Sequence, residues 1–160
     1  MTESGMARTT DQVAGSRSAE ADQQVKAGTR AVWASGDYHR FATELIWGLG
    51  AELVRASGIS SGHDVLDVAC GSGNTALRAA ERGANVVACD LTPANFPAGQ
   101  SEAIRRGWSI RWVEGDAEDL PFPDSSFDVV VSSVGAMWAP DHQSVADELI
   151  RVCRPVARSA

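Results

Sequence analysis

The run Asp67-Val68-Ala69-Cys70-Gly71-Ser72-Gly73-Asn74 carries the densest chemistry in the chain. An acid and a Gly-Ser-Gly turn stand between an apolar stretch and a segment of helical character. Glycine turns a chain tightly and lets a ligand approach the backbone without a Cβ in the way. The N–H groups left free where a helix begins form an anion site, suited to a carboxylate or a phosphate. A second acid, Asp90, follows 23 positions after Asp67. At the end of the second strand of an open α/β sheet, such a carboxylate can accept both hydroxyls of a ribose. Taken singly, Gly71-Ser72-Gly73 is also a plain tight turn, and Asp90 also a loop residue or helix cap. Together they describe a nucleoside site.

Positioning these groups requires strands that end together. From residue 64 onward, short β-branched runs alternate with longer amphipathic ones. The pattern predicts strands over 64–70, 85–90, 109–114 and 127–133, and helices over 74–82, 93–106 and 141–153. Thr92 reads as the N-cap of the second helix, with Pro93 at its first position. In the last helix Val145, Leu149, Val152 and Cys153 share a face, and Pro155 ends it. Near-continuous apolar strands separated by helices imply an α/β fold with a parallel sheet covered by helices. Upstream, Phe41, Leu45, Leu49 and Leu53 recur every four residues, one apolar stripe on a helix over 39–57 that Gly58 stops. Residues 1–22 are Ser/Thr/Gly/Gln/Ala-rich and lack periodicity, which predicts a flexible tail.

Composition narrows the classes. The 160 residues suit one domain. With 14 Lys+Arg against 21 Asp+Glu, the net charge of −7 argues against a broad nucleic-acid surface, which must neutralise phosphates. No apolar run exceeds four residues, and the N-terminus has no apolar signal core, so neither a membrane span nor a secretory signal is expected. The three cysteines, Cys70, Cys89 and Cys153, have no metal-like spacing and read as reduced, buried thiols of a cytoplasmic protein.

Two cofactors fit the glycine turn. Gly71-Ser72-Gly73-Asn74-Thr75-Ala76 satisfies the Gly-x-Gly-x-x-Gly/Ala dinucleotide pattern, which keeps NAD, and with it an oxidoreductase, in contention. Asp67, just before the turn, would repel a pyrophosphate and favour an ammonium or sulfonium cation. S-adenosylmethionine carries both cations, plus a carboxylate for the helix start. The segments 65–74, Asp90, 114–123 (Glu-Gly-Asp-Ala-Glu-Asp-Leu-Pro-Phe-Pro) and 127–132 (Phe-Asp-Val-Val-Val-Ser), in that order, resemble the class I S-adenosylmethionine-dependent methyltransferases. The nearest likeness is to the branch holding quinone-type C-methyltransferases and many small-molecule enzymes.

The resemblance spans about residues 30–155 and implies a Rossmann-like parallel sheet with helices on both faces. It divides the chain into an N-terminal tail (1–22), lid helices (23–62), a cofactor-binding core (63–155) and a short tail (156–160). It implies that Asp67, Ala69, Gly71 and Gly73 hold the methionine end of the cofactor. Asp90 would take the ribose, with Leu91 packing on the adenine. Asp116 would accept from the adenine amino group, and the Ala117 N–H would meet a ring nitrogen. Ser132 and Ser133 would border the methyl group and a small-molecule acceptor. Ala69 replaces a glycine common in the family, and Pro97 falls where the second helix is usually unbroken, so a kink is expected there.

Trp33 and Tyr38 resemble lid aromatics that cover the cofactor, or else pack a helix corner. Of the other tryptophans, Trp138 is the best candidate to meet a substrate. His142 is a candidate general base, while His39 and His63 read as surface residues. Family members continue to seven strands, so this sequence reads as truncated after the fourth, in the order 3-2-1-4. It would keep most cofactor contacts, could be inactive or a cofactor-binding partner subunit, and would expose a β4 edge prone to self-association.

Overall fold

The computed structural model describes residues 19–155. Four parallel strands, β1 (Asp64–Val68), β2 (Asn85–Asp90), β3 (Ile110–Glu114) and β4 (Val129–Val131), form one sheet in the order β3-β2-β1-β4. The central pair is in register from Asp64 against Asn85 to Val68 against Cys89. Alternation along the strands splits the core into two layers. Val65, Val86 and Ala88 face α3 (Trp47–Ala56), α4 (Asn74–Glu81) and α5 (Phe96–Arg106), meeting Val54, Ala76, Ala79 and Phe96. Leu66, Val68 and Cys89 face the other way, against Phe122, Phe127 and Val152 of α6 (His142–Val152). Helices therefore cover both faces, and all four strands end on the same side, where the glycine turn lies.

Several local expectations change. Helix α1 (Ala19–Ala34) begins inside the segment read as a tail, so residues 19–22 belong to it; the rest of that tail, and residues 156–160, lie outside the described residues. Thr92 makes no side-chain cap: Pro93–Asn95 is a 3₁₀ turn, and the Asp90 carboxylate takes the Thr92 N–H. Pro97 then lands in the first turn of α5, where no N–H is needed, and causes no break. Strand β4 is shorter than expected because both ends are diverted. Asp128 reaches across to the Asp64 N–H, and Ser132 turns back to accept from Ala136. Phe127 pairs instead with Cys153.

The apolar stripe is the largest correction. The chain over 38–56 is not one regular helix: α2 (Tyr38–Phe41) runs through a π-helical turn (Ala42–Ile46) into α3. The buried positions are Ala42, Gly50 and Val54, one residue along from the stripe. Phe41, Leu45 and Leu49 are 44%, 72% and 48% exposed, and only Leu53 packs on the core. Close approach and polar hooks decide the docking. A Cβ on Gly50 would lie 2.7 Å from Asn74 Oδ1, so α3 presses directly on α4. Asn74 Nδ2 donates to the Ile46 carbonyl at 3.0 Å, and Arg78 donates to the Trp47 carbonyl while lying over its ring. No helix among the described residues is long and apolar enough to cross a membrane.

Candidate cofactor site

The strand ends open onto one cavity. Its lining includes Ala69, Gly71, Asp90, Leu91, Asp116 and Ala117 from the sheet side. Trp33, Tyr38 and Trp138 close it from above. Eight of the eleven residues singled out for the cofactor thus meet at one place: these six with Trp33 and Tyr38. Gly71 has φ +57, a conformation open to glycine, and a Cβ there would run into the Tyr38 ring. Its N–H donates to Asp90 Oδ2 at 2.7 Å, and the other Asp90 oxygen takes the Thr92 N–H at 2.7 Å. One carboxylate therefore ties the glycine turn to the end of β2. Burial pushes the Asp90 carboxyl up, and those two N–H groups hold it back down. Burial, then the neighbouring Asp90 charge, lifts the Tyr38 phenol to about 12, so it stays protonated and acts only as a hydrogen-bonding hydroxyl.

Three cofactor candidates stand apart from this cavity. Asp67 is 2% exposed, lies behind the turn and accepts from the Ala76 N–H at 2.9 Å. Its pKa is pushed up to about 8, chiefly by burial, with the Ala76 N–H pulling it back. Outside the cavity lining, Asp67 organises the start of α4 through the Ala76 N–H. Gly73 is roofed by the Trp112 ring, and Ser132 is spent on the Ala136 N–H. Ser133 is exposed. His142 is also outside the lining; its Nε2 lies 3.0 Å from the Met137 carbonyl oxygen. His39, read as a surface residue, is half-buried, and its Nδ1 is 3.0 Å from the Ser72 hydroxyl, fastening α2 to the glycine turn. Cys70 and Cys89 are free and buried as expected, whereas Cys153 is only partly so. Burial pushes both buried thiols up, Cys89 to about 12, which leaves them without nucleophilic character.

Sequence reasoning missed Lys26. Its Nζ lies 2.5 Å from Asp116 Oδ2 and 2.6 Å from Glu118 Oε2, and Arg30 reaches Glu114 at 2.6 Å. Four residues of helix rise about 6 Å and two of extended chain about 6.6 Å, so a Lys-x-x-x-Arg face matches acids spaced by two. That spacing was the available signal. Lys26 and Trp33 share this face of α1, and both line the cavity.

Ala69 is a non-glycine residue at φ +54, and a Cβ on Gly135 would lie 2.5 Å from its methyl. The left-handed region costs an L-residue about 1 kcal/mol. Ala69→Gly is therefore expected to leave stability unchanged or raise it by up to about 1 kcal/mol. A loss of stability on urea denaturation would show that the methyl packs usefully instead.

The groups present fit S-adenosylmethionine: a glycine turn with no room for a Cβ, and two acids, Asp90 and Asp116, lining the same cavity. Comparison with known proteins agrees. The uncharacterized protein Rv1405c of Mycobacterium tuberculosis is 50% identical over 137 residues, 86% of this chain and 50% of its own. A demethylmenaquinone methyltransferase of Thermus thermophilus is 40% identical over 96 residues, 59% of this chain and 44% of its own. A Bacillus halodurans structure solved as a candidate methyltransferase superposes with a TM-score of 0.60 at 32% identity, over 66% of this chain and 46% of that one. The chain spans about half the length of the curated relatives it matches. The family model "Methyltransferase domain" matches residues 66–158, and the chain accordingly belongs to the class I S-adenosylmethionine-dependent methyltransferases.

Proposed function

We propose that this chain binds S-adenosylmethionine in the cavity above the strand ends and positions it for methyl transfer to a small-molecule acceptor. The observation that carries the reading is the convergence of the Gly71 turn, Asp90 and Asp116 on one cavity. When bound, the cofactor supplies a methyl group already activated on a sulfonium, so the protein's share is alignment. In this reading the carboxylate lies against the glycine turn, whose Gly71 and Gly73 N–H groups are held by Asp90 and the Cys70 carbonyl. Asp90 receives the ribose hydroxyls, Leu91 packs on the base, and Asp116 with the Ala117 N–H meets its polar edge. Tyr38 and Trp33 close over the cofactor and exclude water. His142, outside the cavity, is given no step.

Parallel calorimetric titrations with S-adenosylmethionine and NAD test the reading. Binding of the first and not the second is expected, and stronger NAD binding would overturn it. Asp90→Ala should weaken cofactor binding by about 1–2 kcal/mol through lost charge-assisted hydrogen bonds. Asp90→Asn, which keeps an acceptor for the Gly71 N–H, should lose less; equal affinity in all three proteins would refute the ribose role. Release of adenosylhomocysteine in the presence of candidate acceptors would separate an enzyme from a cofactor-binding partner subunit.

Self-association belongs to the same reading. Val129–Val131 pair with β1 on one side, and among the described residues the other side is met only ahead of the strand, where 125–127 hydrogen-bond to 151–154 around the Phe127–Cys153 bridge. A second strand can add there. A concentration-independent monomer in sedimentation velocity would count against it.

A further inference from the structure

Lys26 is ion-paired, yet its donors are not all spent. Its Nζ lies 2.5 Å from Asp116 Oδ2 and 2.6 Å from Glu118 Oε2. An ammonium carries three N–H donors and no acceptor, so one remains after these two acids are met. Lys26 and Asp116 both line the cavity, and Glu118 stands behind them. Glu118 is the better-held arm. Its side chain is 8% exposed against 25% for Asp116, and its Oε1 accepts from the Asp141 N–H at 2.8 Å. It thus anchors the ammonium at the cavity wall.

Asp116 has room for a further donor. Its Oδ1 accepts from the Glu118 N–H at 3.0 Å, and its Oδ2 takes Lys26. Each carboxylate oxygen has two lone pairs, so acceptor capacity is left on Oδ2. The next residue, Ala117, lines the same cavity, and its N–H has no acceptor among the described residues. The wall therefore offers a cationic donor, an acid and a backbone donor as neighbours.

Under the cofactor assignment above, on which this inference rests, Asp116 and the Ala117 N–H meet the amino group and a ring nitrogen of adenine. That amino group lies between two ring acceptors, N1 and N7. A donor–acceptor–donor wall complements this acceptor–donor–acceptor rim, and N7 is the position left for the remaining donor. We propose that the third N–H of Lys26 donates to N7, which makes Lys26 a specificity-determining residue for the base. A 6-oxo purine would instead set an oxygen against Asp116 and an N–H against that of Ala117.

Removing N7 alone separates this contact from the other two. The experiment is isothermal titration of the whole chain, wild type and Lys26→Met, with S-adenosylhomocysteine and with its 7-deaza analogue, which keeps the amino group and N1. The wild type is expected to bind the 7-deaza ligand about tenfold more weakly, the loss of one hydrogen bond from a charged donor. Lys26→Met removes the ammonium and keeps the apolar stem, and should bind the two ligands within about twofold of each other. Loosening of α1 in the variant would weaken both ligands alike, so their affinity ratio reads the N7 contact alone. Equal binding of both ligands by the wild type overturns the proposal without recourse to any variant, and so does a Lys26→Met protein that keeps the wild-type preference. A wild type that binds neither ligand removes the cofactor assignment itself, a result distinct from the other two.

Discussion

Raising the pH from about 5 to about 9 is expected to destabilise the fold, and Asp67→Asn to remove much of that loss. Asp67 is buried among apolar neighbours of β1, with one backbone donor, Ala76, against its carboxylate. Burial dominates: the pKa rises from 3.8 to about 8, the Ala76 N–H pulling it back and the Asp90 charge adding to it. The unfolded chain releases this proton near pH 4, the folded one near pH 8. Between those limits the folded state holds the extra proton, so its stability is full below the lower value and declines until the upper one is passed. The loss is on the order of a few kcal/mol. The amide of the Asp67→Asn variant would keep an acceptor for the Ala76 N–H and carry no charge to bury. Urea denaturation of both proteins across this range checks the idea: curves that converge in acid and separate toward pH 8 are expected, and parallel curves would sink it. Some dependence should survive in the variant, because burial raises the Asp90 carboxyl too.

Gly99→Ala is expected to cost about 2–3 kcal/mol, although alanine is the better helix former by about 1 kcal/mol. Gly99 lies in α5, where a Cβ would collide with the Ser72 carbonyl oxygen and with the Trp112 ring. The ring could shift, but the carbonyl belongs to the glycine turn, whose Gly71 N–H is already fixed by Asp90. Relief would therefore come from moving the turn, and cofactor binding should weaken along with stability. Gly28 supplies the control. It is in α1 with nothing within 4 Å of its would-be Cβ, so Gly28→Ala should stabilise by up to about 1 kcal/mol. Thermal melts of the two variants moving in the same direction would show that propensity, not close approach, governs both sites.

What is legible in the chain is whatever repeats or alternates. Strand β2 spans Asn85–Asp90 as its β-branched run implies, and α6 falls within one residue at each end of its expected span, capped by Asp141. The glycine turn and Asp90 can be found because their spacing along the chain reflects a shared crevice, and Asp116, just past β3, because the segment 114–123 resembles the family's. The misreadings have a common cause in contacts distant in sequence. The leucine stripe is real as a pattern, yet Gly50 against Asn74 selects a different face. Asp67 is rightly picked out as unusual, but only its burial tells whether it meets a ligand or the Ala76 N–H. Lys26 is marked by nothing in its own neighbourhood, since its partners lie about ninety residues away and only the matched spacings connect them.

The way α1 is fastened has an outcome of its own. Lys26 and Arg30 tie it to Asp116, Glu118 and Glu114 through partly exposed ion pairs, while the sheet beneath is joined by apolar layers. Dissolved electrolyte competes with the first kind of bond and leaves the second alone. Added salt is thus expected to loosen the Arg30 end of α1 before it touches the sheet, and a ligand dissociation rate that rises with ionic strength while the urea midpoint holds steady would check it.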